Sequence, residues 1–136
     1  TYGPRMAIDD GRVVSNFIVA ALRGNDLTIY GDGSQSRSLC FVDDLIEGIF
    51  KFVFESNAIG PLNLGTSFEV TMKDLAEIII GLTRSNSKIV DLPLPENDPK
   101  LRRPDLTLAE KEIDWQPRIS IEDGLLKTIE YFRKIV

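Results

Sequence analysis

The sequence predicts an α/β domain of mixed α+β character, and two observations carry the prediction. Segments with helical spacing alternate with short β-favouring runs along the whole chain, a mixture that belongs to the α/β and α+β classes. The runs, such as Leu27–Tyr30 and Ile89–Leu92, are only about four residues each, too few and too short for a complete doubly wound sheet. The 136 residues fit one domain spanning 1–136 that can bury one real core. No internal repeat, low-complexity segment or domain boundary interrupts it.

Composition narrows the function classes. A net charge of −5 argues against a nucleic-acid or anionic-membrane surface. With no histidine, a Ser-His-Asp or Cys-His site within the chain is excluded. The single cysteine, Cys40, forms neither an internal disulfide nor a zinc cluster, and its apolar neighbours make it a small core residue. No metal site is expected. No apolar run is long enough for a membrane span and no secretory signal is visible, so a cytoplasmic setting is expected. The abrupt start at Thr1 suggests a fragment or a processed product.

Taken in order, Thr1–Met6 is a loop, because Gly3-Pro4 fits neither a helix interior nor a central strand. A helix follows Asp9-Asp10, with Val13, Val14, Phe17, Ile18, Ala21 and Leu22 on one stripe and Gly24 as its stop. Leu27–Tyr30 reads as a strand, Gly31-Asp32-Gly33-Ser34 as a reversing turn, and Ser38–Val42 as a second extended run, together a glycine hairpin. Asp43 or Asp44 is placed to cap the next helix, Asp44 to Glu55. Leu45, Ile46, Ile49, Phe50, Phe52, Val53 and Phe54 make that helix apolar over most of its circumference, which predicts a helix central to a core, or one covered on two sides. Leu62–Gly65 is expected as a short strand. Thr71 with Asp74 resembles a capping box opening a helix to about Thr83, and Ser120 with Asp123 opens the last helix the same way. From Pro93 to Pro104 the chain is proline-bearing and aperiodic, a long loop. Leu106–Ile113 is a short helix closed by Trp115-Gln116-Pro117, with Trp115 a lid on the core.

Gly31–Ser36 is no dinucleotide fingerprint, because the third glycine is missing and no helix begins there. Tyr131 and Lys134 do not match a Tyr-x-x-x-Lys acid/base pair. The acidic pairs Asp9-Asp10 and Asp43-Asp44 are explained as helix starts. What remains is Arg5 after Gly-Pro, Arg37 after the glycine turn and Arg102 in the proline-flanked loop. Guanidinium forks pair bidentately with both diphosphate and carboxylate, so these arginines together suit a ligand carrying both.

Thr-Tyr-Gly-Pro-Arg-Met (1–6), Asp-Gly-Arg-Val-Val-Ser-Asn-Phe (10–17), Leu-Thr-Ile-Tyr-Gly-Asp-Gly-Ser-Gln-Ser-Arg-Ser (27–38), Val-Asp-Asp-Leu (42–45), Asn-Leu-Gly (63–65), Asp-Pro-Lys-Leu-Arg-Arg-Pro-Asp (98–105) and Trp-Gln-Pro (115–117) occur in this order. Together they resemble the C-terminal part of UDP-glucuronate decarboxylases (UDP-xylose synthases), which are extended short-chain dehydrogenases/reductases. Gly-Pro-Arg and Tyr-Gly-Asp-Gly-x-Gln-x-Arg also fit nucleotide-sugar epimerases and dehydratases, whereas the 10–17 and Arg-x-Pro-Asp blocks favour the decarboxylases.

The resemblance implies that the chain is the nucleotide-sugar-binding part of such an enzyme, inactive alone, with the N-terminal Rossmann part and its NAD fingerprint missing. The implied reaction oxidises the sugar C4 hydroxyl with NAD, loses carbon dioxide from the β-keto acid, and reduces the ketone to UDP-xylose. The implied roles are Arg5 as catalytic residue beside the substrate carboxylate, Leu27–Tyr30 along the uracil, Gln35 and Arg37 near ribose and diphosphate, and Asn16 approaching the diphosphate. Arg102 would grip the diphosphate, Asp105 would stand on the ribose side, and Arg103 would be a neighbour. NAD would be held mainly elsewhere, the partner would be a UDP-sugar, and the full-length enzyme would be a homodimer. Rival readings are a dTDP-glucose 4,6-dehydratase, a UDP-sugar 4-epimerase, or a non-catalytic nucleotide-sugar- or protein-binding module. Loss of a packing partner is expected to expose apolar surface on the helix from Asp44 to Glu55.

Overall fold

The computed structural model describes residues 1–93 and 103–136. Five α-helices lie around two small sheets, with α1 at Val13–Leu22, α2 at Val42–Phe50, α3 at Met72–Thr83, α4 at Thr107–Ile113 and α5 at Ile121–Phe132 among the described residues. The strands are β1 (Leu27–Tyr30), β2 (Ser36–Arg37), β3 (Val70–Thr71) and β4 (Ile89–Leu92).

The local signals hold where the chain decides its own ends. Thr71 Oγ1 accepts the Asp74 amide at 3.0 Å and Ser120 Oγ accepts the Asp123 amide at 3.1 Å, so both act as N-caps, and each hydroxyl in turn donates to the same aspartate's carboxylate. The apolar stripes of α1, α3 and α5 then meet in one core, with Ile18, Leu27, Leu75, Ile79, Leu125, Ile129 and Phe132 buried together.

The pairing of the strands corrects the hairpin. β1 lies parallel to β4, Leu27 opposite Ile89 and Tyr30 opposite Leu92. β2 is only Ser36–Arg37 and pairs antiparallel with β3. Gly31 and Gly33 do take positive φ, +66° and +73°. They redirect the chain to a different partner instead of folding it back on β1. Phe41 forms an isolated bridge to Tyr2, and Val42 already opens α2.

The predicted strand Leu62–Gly65 has no ladder partner among the described residues. It is held instead by the Asn63 amide donating to the Asp105 carbonyl at 3.1 Å and by Pro104 packed on Gly65.

α2 departs from expectation twice. Phe41 is its N-cap without a side-chain bond, and Asp43 and Asp44 lie in its first turn, where the helix dipole favours them. Asp44 turns inward: its carboxylate accepts the Ile119 amide at 2.9 Å, and its carbonyl accepts Trp115 Nε1–H at 3.0 Å. Trp115 packs with Ala109 and Ile113 in a second, smaller cluster against Phe52, Leu62 and Leu64. Gly48 lets the indole lie directly on α2, since a Cβ there would stand 2.9 Å from the ring.

The rest of α2, continued by a π-helical turn over Lys51–Glu55, is not central. Ile46, Phe50, Val53 and Phe54 are 58%, 51%, 57% and 72% exposed. Periodicity records how much apolar surface a helix carries, and only one side of this one is covered. The expected exposed apolar surface is found on this helix.

Candidate nucleotide-binding site

A cavity of about 250 Å³ opens between the first turns of α1, the strand β1 and the segment entering β2. Its floor is Phe17, Ile29 and Met72, all buried, and its rim carries Asn16, Thr28, Tyr30, Gln35 and Arg37.

Each part follows from local structure. The Leu27 and Gly31 amides donate to Lys88 O at 2.8 Å and Leu92 O at 2.7 Å, which commits that edge of β1 to β4. Strand alternation turns the Thr28 and Tyr30 backbone to the opposite edge, toward the cavity. Leu27 itself is fully buried, so its side chain belongs to the core and not to the cavity. Gln35 donates its amide N–H to the Tyr30 carbonyl at 2.7 Å, which straps the glycine turn and holds the carboxamide at the rim. The Met72 amide donates to Gln35 O and the Lys73 amide to Gly33 O, so α3 anchors the turn from behind. Arg37 donates Nη1–H to the Ser36 carbonyl at 2.8 Å, fixing the guanidinium beside β2.

An apolar floor, a strand edge and a cation in one concavity suit a planar heterocycle joined to an anion. The edge offers directional hydrogen bonds, the floor covers a ring face, and the guanidinium takes phosphate.

Arg5 stands in a neighbouring concavity with Pro4, Asp10 and Arg12. It takes φ +71°, a conformation uncommon for a residue with a Cβ. The segment 10–13 divides the two concavities, Gly11 and Val13 lining the first, Asp10 and Arg12 the second. Burial raises the Asp10 pKa, but hydrogen bonds from the Ser15 hydroxyl and the Arg12 amide, with the Arg12 charge, bring it below the usual value.

Arg102 lies outside the described residues. Asp105 is described, and it opens α4 by accepting the Thr107 hydroxyl at 2.7 Å and the Thr107 amide at 2.9 Å. Those two bonds hold its pKa below the ordinary value. It lines a separate shallow depression with Arg103, Thr107 and Glu110. Arg103 pairs with Glu69 at 3.8 Å. Asn16, Tyr30, Gln35 and Arg37 therefore converge, while Arg5 and Asp105 each stand at another concavity.

Sequence reasoning passed over Glu69 and Met72. Glu69 meets Ser36 only where β2 pairs with β3, across 33 residues, and meets Arg103 from another distant segment, so no local pattern marks it.

The buried Cys40 thiol is pushed up to about 11 by burial, with the Asp44 charge adding to it. It stands away from the cavity, as the core residue its neighbours implied.

Residues 1–65 match the profile of the NAD dependent epimerase/dehydratase family. Over 136 residues, all of the chain, it is 47% identical to UDP-glucuronic acid decarboxylase 4 of Arabidopsis thaliana, covering 30% of that protein. It is 46% identical over 134 residues to UDP-glucuronic acid decarboxylase 1 of Danio rerio, covering 98% of the chain and 32% of that protein. The chain thus spans about a third of the length of these relatives. Among solved structures, the UDP-glucose 4-epimerase of Thermotoga maritima with UDP-glucose superimposes with a TM-score of 0.93 at 32% identity, over 98% of this chain and 43% of that one. The UDP-glucuronic acid 4-epimerase of Bacillus cereus, in complex with UDP-glucuronic acid and NAD, gives 0.89 at 26% identity, over 99% of this chain and 43% of that one. Residues 1–65 thus resemble the NAD dependent epimerase/dehydratase family, and by sequence and fold the whole chain is similar to UDP-glucuronic acid decarboxylases and UDP-sugar 4-epimerases.

Proposed function

We propose that the chain is the nucleotide-sugar-binding part of an NAD-dependent UDP-glucuronate decarboxylase, which forms UDP-xylose and carbon dioxide. The observation that carries the reading is the convergence of Asn16, Tyr30, Gln35 and Arg37 on one cavity, in a sequence 47% identical to a decarboxylase. In this reading the uracil lies on Phe17 and Ile29 along the open edge of β1, and Arg37 takes the diphosphate. Arg5 meets the sugar carboxylate from the adjoining concavity and offsets its charge. Arg102 and Asp105 are assigned to the diphosphate and the ribose side by family resemblance.

NAD, the family's cofactor, supplies hydride acceptance and return. The described residues do not fit its diphosphate. The glycine turn at Gly31 and Gly33 runs into β2 and not into a helix N-terminus, so it gives no cradle of the dinucleotide kind. The work assigned to this chain is binding and orienting the sugar nucleotide. The full-length protein is taken to be a homodimer, which sedimentation velocity reads directly.

The test is product analysis of the polypeptide expressed in full from its gene, supplied with UDP-glucuronate and NAD. UDP-xylose and carbon dioxide support the reading. UDP-galacturonate would replace it with a 4-epimerase, a rival favoured by the superposition on the Thermotoga maritima enzyme. Arg37→Ala should raise KM for the nucleotide sugar at least tenfold, the loss of one charge-assisted contact. An unchanged KM removes Arg37 from the site.

A further inference from the structure

Glu69 stands just before β3, outside the cavity, and uses both carboxylate oxygens. Oε1 accepts the Ser36 hydroxyl at 2.6 Å. Oε2 faces Arg103 Nη1 at 3.8 Å. Ser36 is also the residue whose carbonyl takes the Arg37 guanidinium at 2.8 Å. One carboxylate therefore ties the β2 backbone that orients Arg37 to the segment 103–105 on the far side.

We infer that Glu69 is a positioning residue for anion binding: through Ser36 it fixes the backbone that aims Arg37, and through Arg103 it joins that backbone to the segment preceding α4. The inference rests on the nucleotide reading of the cavity. The partly buried carboxylate makes a charge-assisted bond to Ser36, so its loss frees a residue that is held by only a two-residue ladder. The ion pair to the more exposed Arg103 is the weaker arm, because solvent screens it.

The roles separate by ligand. Arg37 addresses phosphate and the strand edge addresses the base, so a residue that aims Arg37 should affect UDP and spare uridine. A residue that merely holds the fold together would weaken both alike.

The experiment titrates UDP and uridine into the full-length protein, followed by NMR, for wild type, Glu69→Ala, Glu69→Gln, Ser36→Ala and the Ser36→Ala/Glu69→Ala pair, with circular dichroism as the folding check. Glu69→Ala should weaken UDP about tenfold and uridine less than about twofold. Glu69→Gln keeps an oxygen for the Ser36 hydroxyl and should stay within about threefold of wild type for UDP. Ser36→Ala should match Glu69→Ala, and the pair should be no worse than either alone, as residues acting through one contact are not additive.

Equal losses for UDP and uridine, an unchanged UDP affinity, or additive losses in the pair would overturn the inference. Should Glu69→Ala unfold, Ser36→Ala against Glu69→Gln makes the same comparison. A wild-type protein that fails to bind UDP would overturn the nucleotide reading itself, which is a different result from wild-type binding left untouched by Glu69→Ala.

Discussion

The two hydrophobic clusters are built to different degrees of closure. In the larger, residues of α1, α3 and α5 are buried in one cluster with Leu27 and Ile29 of β1. In the smaller, Trp115, Ala109 and Ile113 cover one side of α2, while the row from Ile46 to Phe54 on its other side meets solvent. Both use the same kinds of residues, so composition does not separate them. What separates them is whether the elements that would close the second layer are present beside it. The cavity lined by Arg37 and Gln35 lies at the closed cluster, which gives both residues a packed frame.

The largest break in this contrast is Phe132→Ala. It opens a cavity in the closed cluster and should cost about 3–5 kcal/mol, read as a fall in the denaturant midpoint by circular dichroism. The single tryptophan reports on the other cluster. Wild-type indole fluorescence should therefore change at lower denaturant than circular dichroism, and coincident curves would make the two clusters one cooperative unit.

Next comes Asp44→Ala, which strips the Ile119 amide of its acceptor and should cost about 1–3 kcal/mol, chiefly in the fluorescence transition. An equal shift in both transitions would show that Asp44 serves the whole molecule.

Cys40 sharpens the comparison by chemistry. With its thiol pushed up to about 11, it should resist alkylation at pH 8 in the native protein and react only as fast as the closed cluster opens. Phe132→Ala should accelerate that labelling, and rapid wild-type labelling would contradict the burial. The smallest effect belongs to Phe54→Ser on the open face. Stability should move by no more than about 0.5 kcal/mol, while self-association of the 136-residue chain, followed by light scattering, falls.

What was legible in the sequence was local. The stripes of α1, α3 and α5 and the caps at Thr71 and Ser120 depend on residues three or four apart, so spacing displays them. The partner of β1 was not legible, because Val90 opposite Thr28 is a fact about distant chain. Asp44 carried the signature of a helix start, yet its carboxylate reaches Ile119, 75 residues away. For the candidate site, family resemblance grouped Asn16, Leu27, Tyr30, Gln35, Arg37, Arg102 and Asp105; the cavity gathers Asn16, Tyr30, Gln35 and Arg37, whereas the Leu27 side chain lies in the core, Asp105 lines another depression, and Arg102 lies outside the described residues. The resemblance did not separate Arg5 into its own concavity, and nothing local marked Glu69.

The β1–β4 ladder has a consequence for how the cavity comes into being. Lys88 meets Asp26 across 62 residues, and the ladder runs on from there to Leu92. Closing so long a loop is slow and entropically costly compared with winding α1 or α3. On the ribosome, α1 and β1 emerge well before their partner strand, so the nascent chain carries the rim residues for some time before the ladder that aligns them can form. Binding competence should therefore arrive late in synthesis, after residue 92 has cleared the exit tunnel, and a chain arrested before that point would hold Asn16 and Arg37 without a site.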